Sequence, residues 1–301
     1  MTGTMRAARL HAGPGGQAAL RLDTDVPIPV AGAGEVLIRV KACGLNQVDL
    51  LTKDGQTPHE VALPHISGTE AAGDIVALGA GVTDWQVGAR VVVDPIIARR
   101  LCENCIRGET NMCRNSRVFG VQTEGGYAEY AVAPSRQLLT QPQSLDYAAA
   151  AALAVTGPTA WHMLRDRAKV VLGEDVLIIA GGSGIGVLGI QIAKAAGARV
   201  IATAGGAEKA ARTLSVWADF AVDHNDPTWP DQVRRFTGGR GVDIVFEHVG
   251  QATWEGSLKI AGTGRSSGHL WRAYRVHGWF QPLAPLRQGT QFDRVLWRHA
   301  A

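Results

Sequence analysis

The chain carries little net charge, few cysteines, no long apolar run and no apolar leader. Thirty Lys and Arg stand against 27 Asp and Glu, a formal charge of +3. These charges are spread out with no basic stripe, which argues against nucleic acid as a partner. The longest apolar run, Ala148 to Val155, is alanine-rich and too short to span a bilayer, so no membrane association is expected. The opening MTGTMRAARLH lacks the apolar core of a secretory leader, and a cytoplasmic location is expected. Only four cysteines are present, and three crowd together at Cys102, Cys105 and Cys113. That spacing reads as metal binding rather than as a disulfide framework. Glycine is abundant, at 37 of 301 residues, as in a tightly turned α/β enzyme, and the length suggests about two domains.

The most informative stretch runs from Asp175 to Thr203. An apolar run, Val176 to Ile179, leads into the turn Gly181, Gly182, Ser183, Gly184, Ile185 and Gly186. A helical pattern follows to about Ala196, then a second apolar run from Val200. This is the strand, turn, helix and strand of a dinucleotide-binding unit. Its glycines admit a pyrophosphate, and the helix N-terminus offers unpaired N–H groups and a positive dipole end. Strict G-x-G-x-x-G spacing falls late, at Gly184, Gly186 and Gly189, and a plain tight βα turn is the competing reading.

Before this unit the chain is strand-like, with β-rich runs at 34–44, 71–82 and 88–95 cut by glycine and proline. That pattern suggests a small antiparallel barrel. From Asp146 an alanine-rich helical pattern takes over, and His162 in WHMLR reads as a packing or surface residue. Beyond it, further parallel strands are expected at Arg199–Thr203, Phe220–Val222 and Asp243–Glu247. The domains expected are 1–145, with a cysteine lobe at 94–116, then 146–260, then a tail at 261–301.

Several stretches together resemble the medium-chain dehydrogenase/reductase superfamily, in its zinc-type alcohol dehydrogenase-like and quinone oxidoreductase-like branches. They are CGLNQVD (43–49), LPHISGTEAAGDIVALGAGV (63–82), the cysteine lobe, GGYAEYAVAP (125–134), the glycine turn and GGRGVDIVFEHVG (238–250). The resemblance implies an α/β chain with a GroES-like catalytic barrel and a Rossmann doubly wound parallel sheet. It further implies a nicotinamide cofactor and a small-molecule carbonyl or quinone substrate.

Departures from the family pattern shape the functional expectation. Cys43 and Glu70 are kept, but Thr69 stands at the position of the zinc-ligating His and Val155 at the third ligand. A catalytic zinc needs three protein ligands and an open position, so none is expected here. Cys43 reads first as a small buried residue before a turn. Asn46 and Asp49 match polar site positions of zinc-free relatives, where Asn46 would hold a carbonyl oxygen or the cofactor ribose and Asp49 would orient it. The same pair also reads as a helix cap. By resemblance Thr156 and Thr159 lie beside the nicotinamide, though a capping role fits them too. Hydride transfer without catalytic zinc is therefore the expected chemistry. A zinc-dependent alcohol dehydrogenase and a non-catalytic nucleotide-binding product are the alternatives.

Two more expectations concern the cofactor and the lobe. The second strand of the unit ends Thr203, Ala204, Gly205, Gly206, with Ala204 where an acid would receive the ribose 2′-OH of NAD. A neutral site with Lys209 or Arg212 nearby favours NADP(H), although Glu208 opposes this and both cations also read as solvated helix positions. Cys102, Cys105 and Cys113 fit the last three positions of a C-x2-C-x2-C-x7-C structural zinc lobe whose first position is Arg99, which cannot ligate. Asp94, Glu103 or water would have to complete a zinc site there, and an empty lobe is the lean.

From Ala261 the text loses any helical or strand period. Codons shifted by one nucleotide permit a family-like text, so an aberrant, frameshifted tail is expected after Ile260. The expected consequences are a Rossmann sheet short of two strands, 243–247 as an exposed edge, a lost homodimer contact and weak or absent activity.

Overall fold

The computed structural model describes residues 3–13, 18–57, 60–261 and 272–274. They form two compact units, 1–155 and 156–301. Among the described residues no helix is long and apolar enough to cross a membrane.

The first unit is built on antiparallel strands. β1 (Thr4–Ala12), β2 (Ala18–Pro27) and β4 (His65–Ile66) form a sheet in the order β2-β1-β4. β3 (Glu35–Gly44), β5 (Glu70–Leu78), β6 (Arg90–Val93), β9 (Tyr130–Pro134) and β10 (Leu138–Thr140) form a second in the order β10-β6-β5-β3-β9. β7 (Ile96–Ile97) and β8 (Arg117–Val118) pair beside the cysteine lobe, which carries helix α2 (Glu103–Ile106). Val36, Ile38, Ile75, Val91, Val93, Phe119 and Ala133 close the core on one face of the larger sheet. Ala150, Ala151 and Ala154, in and just after helix α3 (Tyr147–Ala151), pack with Ala72 and Val92 in a separate core. The alanine run is thus a packing surface of the first unit, and the division falls after Val155 rather than at the change of composition near residue 145.

The register of β3 on β5 shifts between Val40 and Ala42, a bulge. Beyond it Cys43 faces Ala71 and Gly44 faces Glu70, which brings Cys43 and Glu70 onto neighbouring strand ends. Helix α1 (Gln47–Lys53) begins three residues later.

The second unit starts with α4 (Thr156–Trp161), which widens into a π-turn over His162–Arg167. There His162 is a surface residue as expected, its Nδ1 2.9 Å from Asp166 Oδ2. Then βα units alternate: β11 (Asp175–Ile178), α5 (Gly184–Ala195), β12 (Arg199–Ala204), α6 (Ala207–Ser215), β13 (Phe220–Asp223), α7 (Trp229–Phe236), β14 (Ile244–Phe246), α8 (Gln251–Ile260) and β15 (Arg272–Tyr274). The five strands pair in parallel in the order β13-β12-β11-β14-β15. Parallel sheets covered on both faces need strands apolar on both sides, and these comply. Val176, Ile178, Val200 and Phe246 pack with Ile190 and Ala193 of α5. Leu177, Ile179, Ile201 and Val245 pack on the other side with Trp229, Val233 and Ile260.

One expectation is corrected. β14 is not an edge, because β15 pairs with it in the register Ile244 to Arg272 and Phe246 to Tyr274. The tail expected to leave that strand bare therefore supplies a short covering strand. The remainder of the 261–301 expectation, residues 262–271 and 275–301, lies outside the described residues.

Candidate functional site

The glycine turn joins β11 to α5. Ala180 has φ 50°, a left-handed conformation for a residue with a Cβ, and it tips the chain out of the strand. Ser183 caps α5: its Oγ accepts from Gly186 N–H at 3.1 Å and donates to the Ala180 carbonyl at 2.8 Å. A Cβ at Gly186 would overlap the Ala180 carbonyl oxygen, and one at Gly181 would meet Ala202 Cβ at 2.9 Å. Nothing lies within 4 Å of a Cβ at Gly182. The turn is thus closed on its inner side and open on its outer side, beneath the N-terminus of α5. The residues fit a pyrophosphate. β11 lies between β12 and β14, where the order of strands reverses, which is the ligand position of doubly wound sheets.

Thr203 does not face outward. It is fully buried, its Oγ accepts from Ala180 N–H at 3.2 Å, and it lies 3.0 Å from His224 Nδ1. It holds the glycine turn against the end of β12. His224 was not foreseen. Burial, outweighing the pull of Asp223 and Glu247, lowers its pKa from the ordinary value, so the ring faces Gly205 as a neutral group. Asp223 was also missed. Its Oδ1 accepts from Gly206 N–H at 2.8 Å and Asn225 N–H at 2.9 Å, which fixes the β12–α6 turn. Ala204 ends β12 buried, Lys209 is exposed on α6, and Arg212 pairs with Glu208 at 2.6 Å. Thr156 lies beside the first turn of α5, its Cγ2 3.4 Å from where a Gly184 Cβ would stand, and Thr159 sits on the same helix.

After β14, Glu247 is a further residue that sequence reasoning passed over. Its fully buried carboxylate accepts from Val249 N–H at 2.8 Å, Gly250 N–H at 3.0 Å, Thr253 Oγ at 2.9 Å and Ser257 Oγ at 2.8 Å. These bonds shape the loop at the carboxyl end of β14. An acid closing an apolar run was the available signal.

In the first unit Cys43, Asn46, Asp49, Thr69 and Glu70 come together. Asp49 Oδ2 accepts from Asn46 N–H at 2.8 Å and from the Tyr127 hydroxyl at 2.6 Å, and Oδ1 accepts from Gly68 N–H at 3.3 Å. The pair is therefore a helix cap, yet the same bonds fix Asn46, whose amide reaches Thr69 Oγ at 3.5 Å. Tyr127, from the GGYAEY stretch, completes this network. Glu70 is 2% exposed and its Oε1 accepts from Val155 N–H at 2.9 Å. Cys43 Sγ is wedged where a Cβ at Gly68 would stand 2.9 Å away and one at Gly126 2.8 Å away. Burial, then the Asp49 charge, push its thiol up to about 12 against the Glu70 backbone N–H, which pulls it down.

Cys102, Cys105 and Cys113 form the third cluster. Their sulfurs all lie within 4.8 Å of one another, and they are the only such potential metal-holding group among the described residues. Asp94 and Glu103 do not join it. Asp94 accepts from Ile96 N–H at 3.0 Å, and Glu103 pairs with Arg114 at 3.1 Å.

Comparison with known proteins agrees with this arrangement. Residues 32–143 match the model of the alcohol dehydrogenase GroES-like domain, and residues 184–266 match the zinc-binding dehydrogenase model. The chain is 33% identical over 237 residues to an NAD-dependent alcohol dehydrogenase of Sulfolobus acidocaldarius, covering 77% of this chain and 67% of that one. It is 29% identical over 260 residues to the quinone oxidoreductase of Homo sapiens, covering 86% and 71%. A crystal structure of an NAD-dependent alcohol dehydrogenase superposes with a TM-score of 0.80 at 41% identity, covering 86% of this chain and 75% of that one.

Proposed function

The chain belongs to the medium-chain dehydrogenase/reductase superfamily and is an NAD(P)-dependent oxidoreductase, and from that premise we propose that it reduces a conjugated or quinone-type carbonyl with NADPH and without catalytic zinc. The single observation that carries the nucleotide part is the Ser183-capped glycine turn at the reversal of strand order. When bound, the nicotinamide supplies the hydride. The backbone N–H groups of Gly182, Gly184 and Ile185 hold the pyrophosphate, while Ser183 N–H bonds the Ala180 carbonyl and Gly186 N–H bonds Ser183 Oγ, which keeps the turn aimed.

Preference for the 2′-phosphate rests on Ala204, Gly205 and Gly206, whose own side chains carry no carboxylate, and on the exposed Lys209, while the Asp223 carboxylate that accepts from Gly206 N–H opposes it. The alcohol dehydrogenase relative is named for NAD, so this preference is argued from these residues and not from the likeness. On the substrate side Asn46 offers its amide to a carbonyl oxygen, held in place by Asp49, Tyr127 and Thr69. The metal-free reading is supported by the donor set around Cys43. Thr69 is a hydroxyl, one Glu70 oxygen is taken by Val155 N–H, and Val155 has no ligand atom. Such a set does not fit a zinc that needs three protein ligands.

Fluorescence titration of the chain with NADPH and NADH tests the cofactor, and oxidation of NADPH by quinones and enones tests the reaction. NADPH is expected to bind more tightly, with Lys209→Ala lowering its affinity about three- to tenfold and leaving NADH unchanged. Tighter NADH binding overturns the preference. NADPH binding with no turnover of any quinone or enone favours the non-catalytic alternative.

A further inference from the structure

We infer that the Cys102–Cys105–Cys113 lobe is a three-thiolate site for a thiophilic ion that needs no fourth ligand, in the class of Cu(I) and As(III), and not a tetrahedral zinc site. This reading stands apart from the hydride-transfer chemistry. Three sulfurs within 4.8 Å of one another can share one ion, and Cys102 Sγ already lies 3.5 Å from Cys105 Sγ.

What is missing is the fourth corner. Structural zinc sites are closed by four ligands. Arg99 occupies the remaining position of the spacing, its side chain is exposed, and a guanidinium has no lone pair to give. No histidine or carboxylate among the described residues joins the three sulfurs. Zinc held here would keep an exposed water and stay open to chelators. Soft ions satisfied by three sulfurs lose nothing by that gap. With arsenite the chemistry balances without any redox partner. As(OH)3 exchanges three As–O bonds for three As–S bonds, and the three thiol protons leave with the hydroxyls as three waters.

The test uses the full reduced chain, incubated separately with zinc, with Cu(I) and with arsenite, then desalted against a mild chelator. One Cu(I) or one arsenic is expected to stay per chain, with three sulfur neighbours by X-ray absorption, while zinc is stripped. Cys102→Ser is expected to abolish retention, and circular dichroism controls for its folding. Arg99→Cys, at an exposed position, is expected to restore four ligands and raise zinc affinity by at least about a hundredfold, on the scale that ligand-shell changes produce. A full equivalent of zinc retained by the unaltered chain, retention of no ion at all, or an Arg99→Cys chain no better at holding zinc each overturns the inference. Retention of arsenic but not Cu(I), or the reverse, identifies which member of the class the lobe takes.

Discussion

The Tyr127 hydroxyl donates to Asp49 Oδ2 at 2.6 Å and thereby ties the GGYAEY segment to the first turn of α1. Asp49 is then an acceptor for Asn46, Gly68 and Tyr127 at once. In the proposed function it orients Asn46. Burial, followed by Asp49, raises the Tyr127 pKa far above its usual range, so the hydroxyl remains a donor at any physiological pH.

Tyr127→Phe removes this donor and leaves a half-buried carboxylate short of one partner. The expected cost is about 1–2 kcal/mol of stability, read from urea unfolding. Because Asp49, which anchors Asn46, is held less firmly, the KM for a carbonyl substrate should rise while affinity for NADPH stays constant. An unchanged midpoint would show that Asp49 finds water instead.

Cys43 makes a pH prediction. Its thiol is raised from 9.0 to about 12, chiefly by burial. A raised acid favours its neutral form in the folded state. The stabilisation is therefore whole below pH 9.0 and lost as pH climbs toward about 12. Urea unfolding at about pH 8 and about pH 11 should show the wild-type advantage over Cys43→Ala shrinking at the higher pH. A constant gap sinks the assignment. Iodoacetamide should also label Cys43 more slowly than Cys102, whose thiol is lowered to about 6 by the N–H groups of Arg114 and Cys105.

Much of this was legible in the sequence, for identifiable reasons. Apolar runs bounded by glycine placed β11, β12, β13 and β14 to within a residue or two at most ends, because a parallel sheet buried on both faces leaves no other pattern. The glycine turn was legible because Gly186 admits no side chain. Tyr127, His224 and Glu247 were not. Tyr127 and His224 act through partners distant along the chain, Tyr127 on Asp49 and His224 on Thr203, and no local period marks such contacts, whereas Glu247 bonds the residues that follow it and carried only the mark of an acid closing an apolar run. Thr203 stands at the end of the strand, where a cofactor contact is expected. Only the structure shows its hydroxyl turned inward to Ala180. The short strand β15 was missed because Arg272–Tyr274 carries no apolar alternation, and its pairing with β14 comes from the neighbouring strand.

Ser183→Ala tests the cradle. The substitution removes the cap of α5 and leaves Gly186 N–H without its side-chain acceptor. About 1 kcal/mol of stability should be lost. NADPH affinity should fall as well, because the turn loses its Ala180 tether. Ser183→Asp keeps the cap but sets a carboxylate beside the phosphates. It should restore stability while binding NADPH worse than Ser183→Ala. Equal binding by the two variants would place the pyrophosphate elsewhere.

The end of α6 stores strain that a single substitution relieves. Trp217 has φ 84° and is 61% exposed. It follows the cap Val216, and the bonds Ala218 N–H to Thr213 O at 3.1 Å and Trp217 N–H to Leu214 O at 3.1 Å close a Schellman turn. That position calls for glycine. A residue with a Cβ in the left-handed region costs about 1–2 kcal/mol, while glycine costs about 0.5–1 kcal/mol in unfolded-chain entropy. Trp217→Gly should therefore gain up to about 1 kcal/mol, since the exposed indole gives up little buried area. Trp217→Ala is the decisive control, because it removes the indole and keeps the strain. Thermal unfolding should rank the glycine variant above the alanine variant. If alanine matches or exceeds glycine, the indole and not the backbone governs this turn, and the strain at Trp217 contributes nothing to the stability of the second unit.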